Sequence, residues 1–494
     1  MLNYYFKKVS LTVSFILALL ISALSMPASA DAKVTQNTKI SEEKFPPLPS
    51  SILNRTAPKY LEKTFQLLSD ANPETKRPVI ILFYGQSITE QAWWKKVASN
   101  IQHNFPAADI VFYNRAIGAH TSDRLLKTAE ADVYPLQPDL VIFHVYGNHH
   151  DYESIIKNIR NRTTADIVIT SDHIEKYGDV NEETLPSNLS SHNSFNQLHN
   201  YLNKSSKKAS WDAWKNYVFL PYISKQYGAE LIDLRDRWKD YLRMNKIPAS
   251  NLLLDNVHLN AQGEFVMSEI ISSYFQPKFL GKKKDIDHEK LYLINQDLKL
   301  EDKKISMTCV GNRFDVLLKP EVVNGQVKIT IDGSLPSSNK SSYGFTRSST
   351  YPNSNWPALL RVTSGSKPLI EELWIIKIKN ANPDLTQFDF DLIGSKTGFD
   401  GTGSADKKFQ SNSGRVIIEP DDWNLAFAMS VYKKPLPADF KVTWSAEFHG
   451  KNQLEINKNT AHEVRIAQDV INEKHTLQFV GSAIDSIRGI RCFN

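Results

Sequence analysis

The sequence predicts an α/β protein in which a parallel sheet is covered by helices on both faces and is followed by an all-β region. Short apolar strands alternate with helical segments between residues 77 and 280, an order typical of parallel sheets. These strands are apolar at consecutive positions, as expected when both faces are buried. From residue 285 to residue 494, strand-like segments are separated by turn residues, which indicates one or two β-sandwich-like units.

The first 30 residues have the pattern of a secretory signal peptide. Lys7 and Lys8 precede the apolar stretch 11–23, and small residues follow up to Ala30. The apolar stretch is too short for a membrane span. We therefore expect cleavage near Ala30, a secreted or periplasmic protein and no membrane span. Residues 31–76 are predicted to form a lead-in segment with a helix near residues 59–68.

The composition is that of an ordinary globular protein, with 23% charged and 41% hydrophobic residues. The formal charge of +5 is small and the lysines are scattered, so we expect no nucleic-acid partner. Cys309 and Cys492 do not have the spacing of a metal site. In an exported chain they could pair, and the sequence leaves this question open.

Each part of the chain has its own set of predicted elements. The α/β part has predicted strands at 79–84, 110–113, 140–145, 167–170 and 229–234. Its predicted helices cover 89–100, 122–131, 152–162, 214–227 and 262–275, with an insertion at 178–210. Predicted strands of the β region are 327–332, 372–379, 387–393, 416–418, 440–444 and 475–479.

Ser87 lies directly after the first predicted strand, in the stretch RPVIILFYGQSITE. A serine at such a strand-to-helix turn presents its hydroxyl at the carboxyl edge of the sheet. There the first amides of the helix can stabilise an anion. Gly85 fits the tight backbone that this turn needs. The alternative interpretation is that Ser87 only caps the helix.

Asp255 and His258 lie three residues apart, just before the last predicted helix. One turn can point both side chains inward, so that the carboxylate orients the imidazole and the imidazole accepts a proton from Ser87. The alternative is a helix cap and a surface histidine. The catalytic interpretation is favoured because Ser87 and these residues would share one edge of the sheet.

These blocks resemble those of the SGNH hydrolases, also called GDSL esterases and lipases, over residues 77–275. The match comprises Gly85-Gln86-Ser87, Gly118 in NRAIG, and Asp255 with His258 in LDNVHLNAQG. The resemblance implies a flavodoxin-like three-layer domain. It also implies that Ser87 is the nucleophile, His258 the base and Asp255 its orienting carboxylate. The amides of Ser87 and Gly118 would hold the oxyanion, without a metal or other cofactor.

The chain departs from the family pattern in two places. Gln86 replaces the usual aspartate of the first block, which is not the nucleophile. In the third block the family has Gly-x-Asn-Asp, whereas here Asn148 comes one residue early and His149 occupies the usual asparagine position. Both side chains carry an N–H that can donate to an oxyanion. We favour Asn148 as the third donor, with His149 as the alternative.

Three further residues are candidates for substrate contact. Asp172 and His173 follow a predicted strand and could also act as a competing orienter and base, or bond only to nearby backbone. Trp94 could edge the cleft, although an aromatic residue on a helix more often belongs to the core. Several histidines, among them His144 and His150, lie near strand ends, but their spacing is not that of a zinc site.

The substrate is predicted from the resemblance and from the predicted export. SGNH enzymes with β-sandwich partners resemble carbohydrate esterases, which implies a serine esterase acting on acetyl esters of a polysaccharide. The alternatives are an O-acyltransferase with the same triad and a non-catalytic carbohydrate-binding protein with a decayed site. The acidic, glycine-containing stretches 400–406 and 419–423 could hold calcium or could be exposed turns.

Overall fold

The computed structural model describes residues 45–54, 57–69, 77–178, 180, 211–279 and 289–494. The predicted signal peptide, nearly all of the predicted insertion 178–210 and the junction near residues 280–285 lie outside the described residues. The chain divides into two compact units. The first, here called the α/β unit, comprises Met1–Leu125, Asp139–Ile156 and Asp166–Lys283, and the second, the β unit, comprises Leu126–Pro138, Lys157–Ala165 and Lys284–Asn494.

Two helices precede the sheet, and strands and helices then alternate from residue 79 to residue 272. The strands are β1 Val79–Gly85, β2 Ile110–Asn114, β3 Leu140–His144, β4 Asp166–Thr170 and β5 Glu230–Ile232. The helices are α1 Ser50–Leu53, α2 Glu62–Ser69, α3 Ser87–Glu90, α4 Trp93–Asn104, α5 Ser122–Asp132, α6 His149–Arg162, α7 Trp211–Trp214, α8 Leu220–Tyr227, α9 Leu234–Asn245 and α10 Ala261–Ser272.

The five strands form one parallel sheet in the order β2-β1-β3-β4-β5. Phe83 points to one face, where its ring lies 5.8 Å from the ring of Trp93 in α4. Phe143 points to the other face and contacts the ring of Tyr152 in α6 at 4.9 Å. Apolar contacts on both faces of the sheet confirm the predicted three-layer α/β/α fold. Because the strand order reverses between β1 and β3, the carboxyl ends of these two strands border the crevice where such folds bind ligands.

The elements of the α/β unit differ from the predicted ones in several places. The helix predicted over 214–227 is divided into α7, a π-helix at Lys215–Phe219 and α8. The helix predicted over 89–100 is broken into α3 and α4, because the side chain of Gln91 is bonded to the backbone of Leu259 rather than lying on a helix face. The strand predicted over 229–234 has only three residues. Asp233 accepts a hydrogen bond from the Asp236 amide and so caps α9, a helix that the sequence did not predict.

The β unit contains strands from residue 289 to residue 493. They are β6 Glu289–Leu293, β7 Leu300–Glu301, β8 Lys304–Gly311, β9 Arg313–Leu318, β10 Gly325–Ile331, β11 Tyr343–Phe345, β12 Thr363–Ser364, β13 Glu372–Lys379, β14 Asp389–Gly394, β15 Gly398–Ser404, β16 Phe409–Gln410, β17 Val416–Ile418, β18 Lys441–Phe448, β19 Gln453–Ile456, β20 Glu463–Ala467, β21 Glu473–Gly481 and β22 Ile487–Phe493. One helix, α11 Leu425–Tyr432, lies among them.

Two of the antiparallel sheets enclose one apolar core. Their strand orders are β19-β10-β21-β8-β7 and β20-β9-β22-β6. Cys309 in β8 and Cys492 in β22 form a disulfide that joins the two sheets, which settles the pairing that the sequence left open. The segment between β10 and β19 adds the sheets β11-β18-β13-β14-β15 and β12-β17-β16. The region is therefore β-sandwich-like, as predicted, with further sheets inserted between two of its strands.

The stretches considered for calcium have carboxylates with partners inside the protein. Asp400 accepts hydrogen bonds from the Ser413 amide at 2.6 Å and from the Ser413 hydroxyl at 2.7 Å. Glu419 pairs with Lys408 at 2.5 Å. The structure places residues 400–404 in β15 and Pro420–Asp422 in a short 3-10 helix, so the expectation of exposed turns is wrong for most of both stretches. A search of the described helices finds none that is long and apolar enough to span a bilayer.

Candidate active site

The nucleophile candidate Ser87 is the first residue of α3, two residues after the last residue of β1. A side chain at Gly85 would put its Cβ 2.2 Å from the His144 carbonyl oxygen and 2.4 Å from Thr89 Oγ1. Glycine is therefore needed where β1 packs tightly against both the end of β3 and the start of α3. This tight turn places Ser87 at the carboxyl edge of the sheet.

Ser87, His258 and Asp255 form a continuous chain of hydrogen bonds. His258 Nε2 lies 2.9 Å from Ser87 Oγ, and His258 Nδ1 lies 2.8 Å from Asp255 Oδ2. Because a carboxylate can only accept, Nδ1 carries the proton and Nε2 is left to accept from the serine hydroxyl. The other oxygen of Asp255 accepts the backbone N–H groups of Val257 and His258, each at 2.8 Å.

The carboxylate of this group is held in its ionised form. The side chains of Asp255 and His258 are 28% and 21% exposed. Burial by itself would raise the pKa of Asp255. The hydrogen bonds from the Val257 and His258 amides and from the His258 ring outweigh burial and hold the pKa of Asp255 below its ordinary value. An ionised Asp255 can stabilise the positive charge that His258 would acquire.

Gly118 lies beside the candidate nucleophile. A Cβ at Gly118 would be 2.6 Å from Glu90 Oε2 and 3.7 Å from Ser87 Cβ. The carbonyl of Gly118 accepts a hydrogen bond from His120 Nδ1 at 3.0 Å, which holds the peptide that follows Gly118. Among the described residues, neither the Ser87 amide nor the Gly118 amide donates a hydrogen bond. Both amides are therefore available to an anion near Ser87.

The third block gives Asn148 and His149 different surroundings. Asn148 is exposed, and its Oδ1 accepts the His150 amide at 2.8 Å, so it caps α6. The ring of His149 packs against Trp211, Trp214 and Phe219 at 5.3 to 5.6 Å between ring centroids. Burial and the neighbouring His150 lower the pKa of His149. Among the described residues, His149 Nε2 is buried without a hydrogen-bond partner, so the preference for Asn148 over His149 as third donor stays a prediction.

The three residues predicted to contact substrate are buried. Trp94 is 6% exposed, Asp172 2% and His173 0%. Trp94 packs on Phe83 at 5.6 Å between ring centroids, as a core residue does. Asp172 binds Lys215 Nζ with both carboxylate oxygens at 3.0 Å. This burial does not fit the predicted substrate contact, because Trp94 packs into the core from α4 and the chain directly after β4 runs inside the unit.

Two residues of the site were missed in the sequence. Gln91 donates from Nε2 to the Leu259 carbonyl at 2.8 Å and accepts the Leu259 amide at 3.0 Å. Asn114 donates to the Thr89 carbonyl at 2.7 Å. Gln91 thereby joins the segment after Ser87 to the residue that follows His258. No local pattern signals such a contact, because its partners lie 168 residues apart.

In the described part of the chain, no group of three or more His, Cys, Asp and Glu side chains is arranged to hold a metal ion.

No protein-family model and no curated protein matches this chain. The chain is similar to solved esterases and to a GDSL-like lipase. A two-domain esterase active on acetylated mannans is 11% identical, with 89% of this chain and 99% of that chain covered and a TM-score of 0.34.

Two smaller solved structures align with part of the chain. A putative GDSL-like lipase from Parabacteroides merdae is 15% identical, with 40% of this chain and 96% of that chain covered and a TM-score of 0.29. An acetylxylan esterase from Geobacillus stearothermophilus is 14% identical, with 42% and 97% covered and a TM-score of 0.31. At these TM-scores, the assignment of an activity rests on the geometry of the site.

Proposed function

We propose that this protein is a serine esterase of the SGNH type that hydrolyses carboxylic esters. The observation that carries this proposal is the hydrogen-bonded chain Ser87–His258–Asp255, with distances of 2.9 and 2.8 Å. A nucleophile, a base and an orienting carboxylate in this order are what acyl transfer through a serine requires. The same intact chain of bonds argues against a binding protein with a decayed site.

In the proposed reaction, Ser87 Oγ attacks the ester carbonyl while His258 Nε2 takes the hydroxyl proton. The amides of Ser87 and Gly118, with the side chain of Asn148, stabilise the negative oxygen of the tetrahedral intermediate. His258 then protonates the leaving alcohol, which leaves an acyl group on Ser87. Water, deprotonated by His258, attacks this acyl-enzyme. The bond between the acyl carbon and Ser87 Oγ then breaks, His258 returns the proton to Ser87 Oγ, and the acid is released.

The proposed substrate is an acetyl ester on a polysaccharide. Two features support it: the signal peptide predicted in residues 1–30, which would bring the enzyme to extracellular polymers, and the β-sandwich-like region, which could dock one. We expect acetate release from acetylated polysaccharides to exceed hydrolysis of long-chain esters. A preference for long-chain esters would contradict the proposed substrate but would leave the proposed esterase chemistry unaffected.

The test of the chemistry is the Ser87→Ala variant of the full chain, assayed with p-nitrophenyl acetate. Because the base has no other nucleophile to activate, kcat/KM should fall by about 10³-fold or more. The matched control is Ser430→Ala, which removes an exposed hydroxyl on α11 and should keep full activity. An unchanged rate in Ser87→Ala would assign the reaction to another residue. Repeating the assay with a sugar acceptor separates hydrolysis from acyl transfer.

A further inference from the structure

The turn that carries Asp255 and His258 is tied to the segment that follows β4 by two of its carbonyl groups. The Asn256 carbonyl accepts the Lys176 amide at 2.9 Å. The Val257 carbonyl accepts from His173 Nε2 at 2.8 Å. Val257 lies directly before His258, so its carbonyl belongs to the peptide that carries the His258 amide. The position of the base is thereby coupled to the His173 ring.

His173 is suited to donate one fixed hydrogen bond. Its side chain is fully buried, and its ring lies 5.3 Å from the ring of Trp238. Burial, with the nearby charge of His144, lowers the pKa of His173 to about 3, so the ring is neutral and carries one N–H. Because the Val257 carbonyl can only accept, that N–H is on Nε2. Among the described residues, Nδ1 has no hydrogen-bond partner, so the ring serves this one contact.

The backbone around His173 is itself anchored in the core. Arg235 Nη1 donates to the Asp172 carbonyl at 3.3 Å and to the His173 carbonyl at 3.1 Å. The Asp172 carboxylate binds Lys215 Nζ, which also donates to the Val145 carbonyl at 2.8 Å. These core contacts therefore fix the position of His173. Through its hydrogen bond to the Val257 carbonyl, the His173 ring in turn restrains the turn that carries Asp255 and His258.

We propose that His173 is a positioning residue for the catalytic base, acting through the Val257 carbonyl to keep His258 aligned between Asp255 and Ser87. This inference rests on the proposed esterase activity. Without the His173 donor, the Val257–His258 peptide keeps the bond from its N–H to Asp255 but loses the bond to its carbonyl, so it is held less firmly. The His258 ring then samples positions in which Nε2 does not meet Ser87 Oγ, which slows acylation and deacylation without changing substrate binding.

The test compares His173→Phe, which keeps a ring and removes the donor, with His173→Gln, whose amide N–H can reach the Val257 carbonyl. In His173→Phe, kcat should fall by about 10- to 100-fold, as small misplacements of catalytic groups do, with KM within about twofold of the wild type. His173→Gln should recover most of kcat. The control is His475→Phe, which removes a buried histidine bonded to the Ile471 carbonyl in the β unit and should lower Tm without lowering kcat.

A second readout does not depend on turnover. The proton that His258 Nδ1 shares with Asp255 should give a low-field proton NMR resonance in the wild type and in His173→Gln, and a weakened or exchange-broadened one in His173→Phe. If His173→Phe does not fold, His173→Asn, whose amide is too short to reach Val257, takes its place in both measurements.

Wild-type kcat and an unchanged resonance in the variants without the donor would overturn the inference. So would a folded but inactive His173→Gln. Failure of the esterase proposal has a different signature, namely full activity in Ser87→Ala.

Discussion

At the scale of single residues, the site depends on the hydrogen bonds that both carboxylate oxygens of Asp255 accept. One oxygen accepts two backbone amides within its own turn, and the other accepts the His258 ring. The carboxylate thus shapes the turn and orients the base with the same side chain. Its lowered pKa means that Asp255 contributes stability above its unfolded-state pKa and loses this contribution only as the pH falls through its lower folded-state pKa.

The pH dependence of the proposed reaction follows from the need for a neutral base. Protonated His258 cannot accept the proton of Ser87, so kcat/KM should fall towards acidic pH with a one-proton limb. Asp255 stays ionised across that limb because its pKa is depressed. The measurement is kcat/KM for p-nitrophenyl acetate between about pH 4 and pH 9.

Asp255→Asn is the comparison for this profile. It keeps an acceptor oxygen for the turn but removes the charge that stabilises protonated His258, so kcat should drop by about 10²-fold or more. A wild-type profile with a second protonation inside the acid limb would contradict the assignment of a low pKa to Asp255.

At the scale of elements, the start of α6 combines a structural and a proposed catalytic role. Asn148 caps the helix with its oxygen and, in the proposed mechanism, donates to the oxyanion with its NH2 group. Aspartate is an equally good helix cap but has no such donor. Asn148→Asp should therefore keep Tm and lower kcat by about 10²-fold, the usual cost of one oxyanion donor.

The matched variant is His149→Phe, which keeps a ring among Trp211, Trp214 and Phe219 and removes both ring nitrogens. It should leave kcat within about threefold of the wild type, since no transition-state contact is lost. If instead Asn148→Asp is fully active and His149→Phe is impaired, the third donor is His149.

The secondary structure of the active-site edge shows why some elements were predicted well and others were not. β1 and β3 were predicted almost to the residue, because continuous burial leaves an uninterrupted apolar pattern. The break between α3 and α4 was missed, because the contact of Gln91 with Leu259 is not visible in the helix sequence itself. A polar side chain that hydrogen-bonds to a distant backbone group leaves no periodic pattern in the local sequence, so such a contact cannot be predicted from it.

At the scale of the whole molecule, the β unit is assembled from segments far apart in the sequence. β8 and β21 are neighbours in one sheet although β9 to β20 separate them in the chain. The disulfide between Cys309 and Cys492 closes this arrangement with a sequence separation of 183 residues. A cross-link over so long a loop restricts the unfolded chain strongly.

We expect the double variant Cys309→Ala/Cys492→Ala to lose about 2–5 kcal/mol of stability, measured by denaturant unfolding. Its activity on p-nitrophenyl acetate at low temperature should be unchanged, because the triad and both proposed oxyanion amides belong to the α/β unit. The control is the wild type treated with reductant, which should unfold at the same denaturant concentration as the double variant. Loss of small-ester activity in a folded double variant would show that the β unit contributes to catalysis.

The sequence by itself determined the layered α/β fold, the β-rich second part and the three residues of the candidate triad. These could be predicted because their signals are local. Burial on both faces gives an apolar run, and Asp255 and His258 share one turn. The carboxyl ends of parallel strands also meet at one edge, so the sequence alone predicts that Ser87 lies near them.

Only the tertiary structure decided which polar residues support the site from inside. Asp172 and His173 follow β4 much as Ser87 follows β1, yet they are buried, and His173 contacts the Val257 carbonyl 84 residues away. The pairing of the two cysteines and the insertion of β11 to β18 into the sandwich were decided in the same way. In each case the deciding contact joins segments distant in the chain, and its energy depends on burial and geometry that no stretch of sequence carries alone.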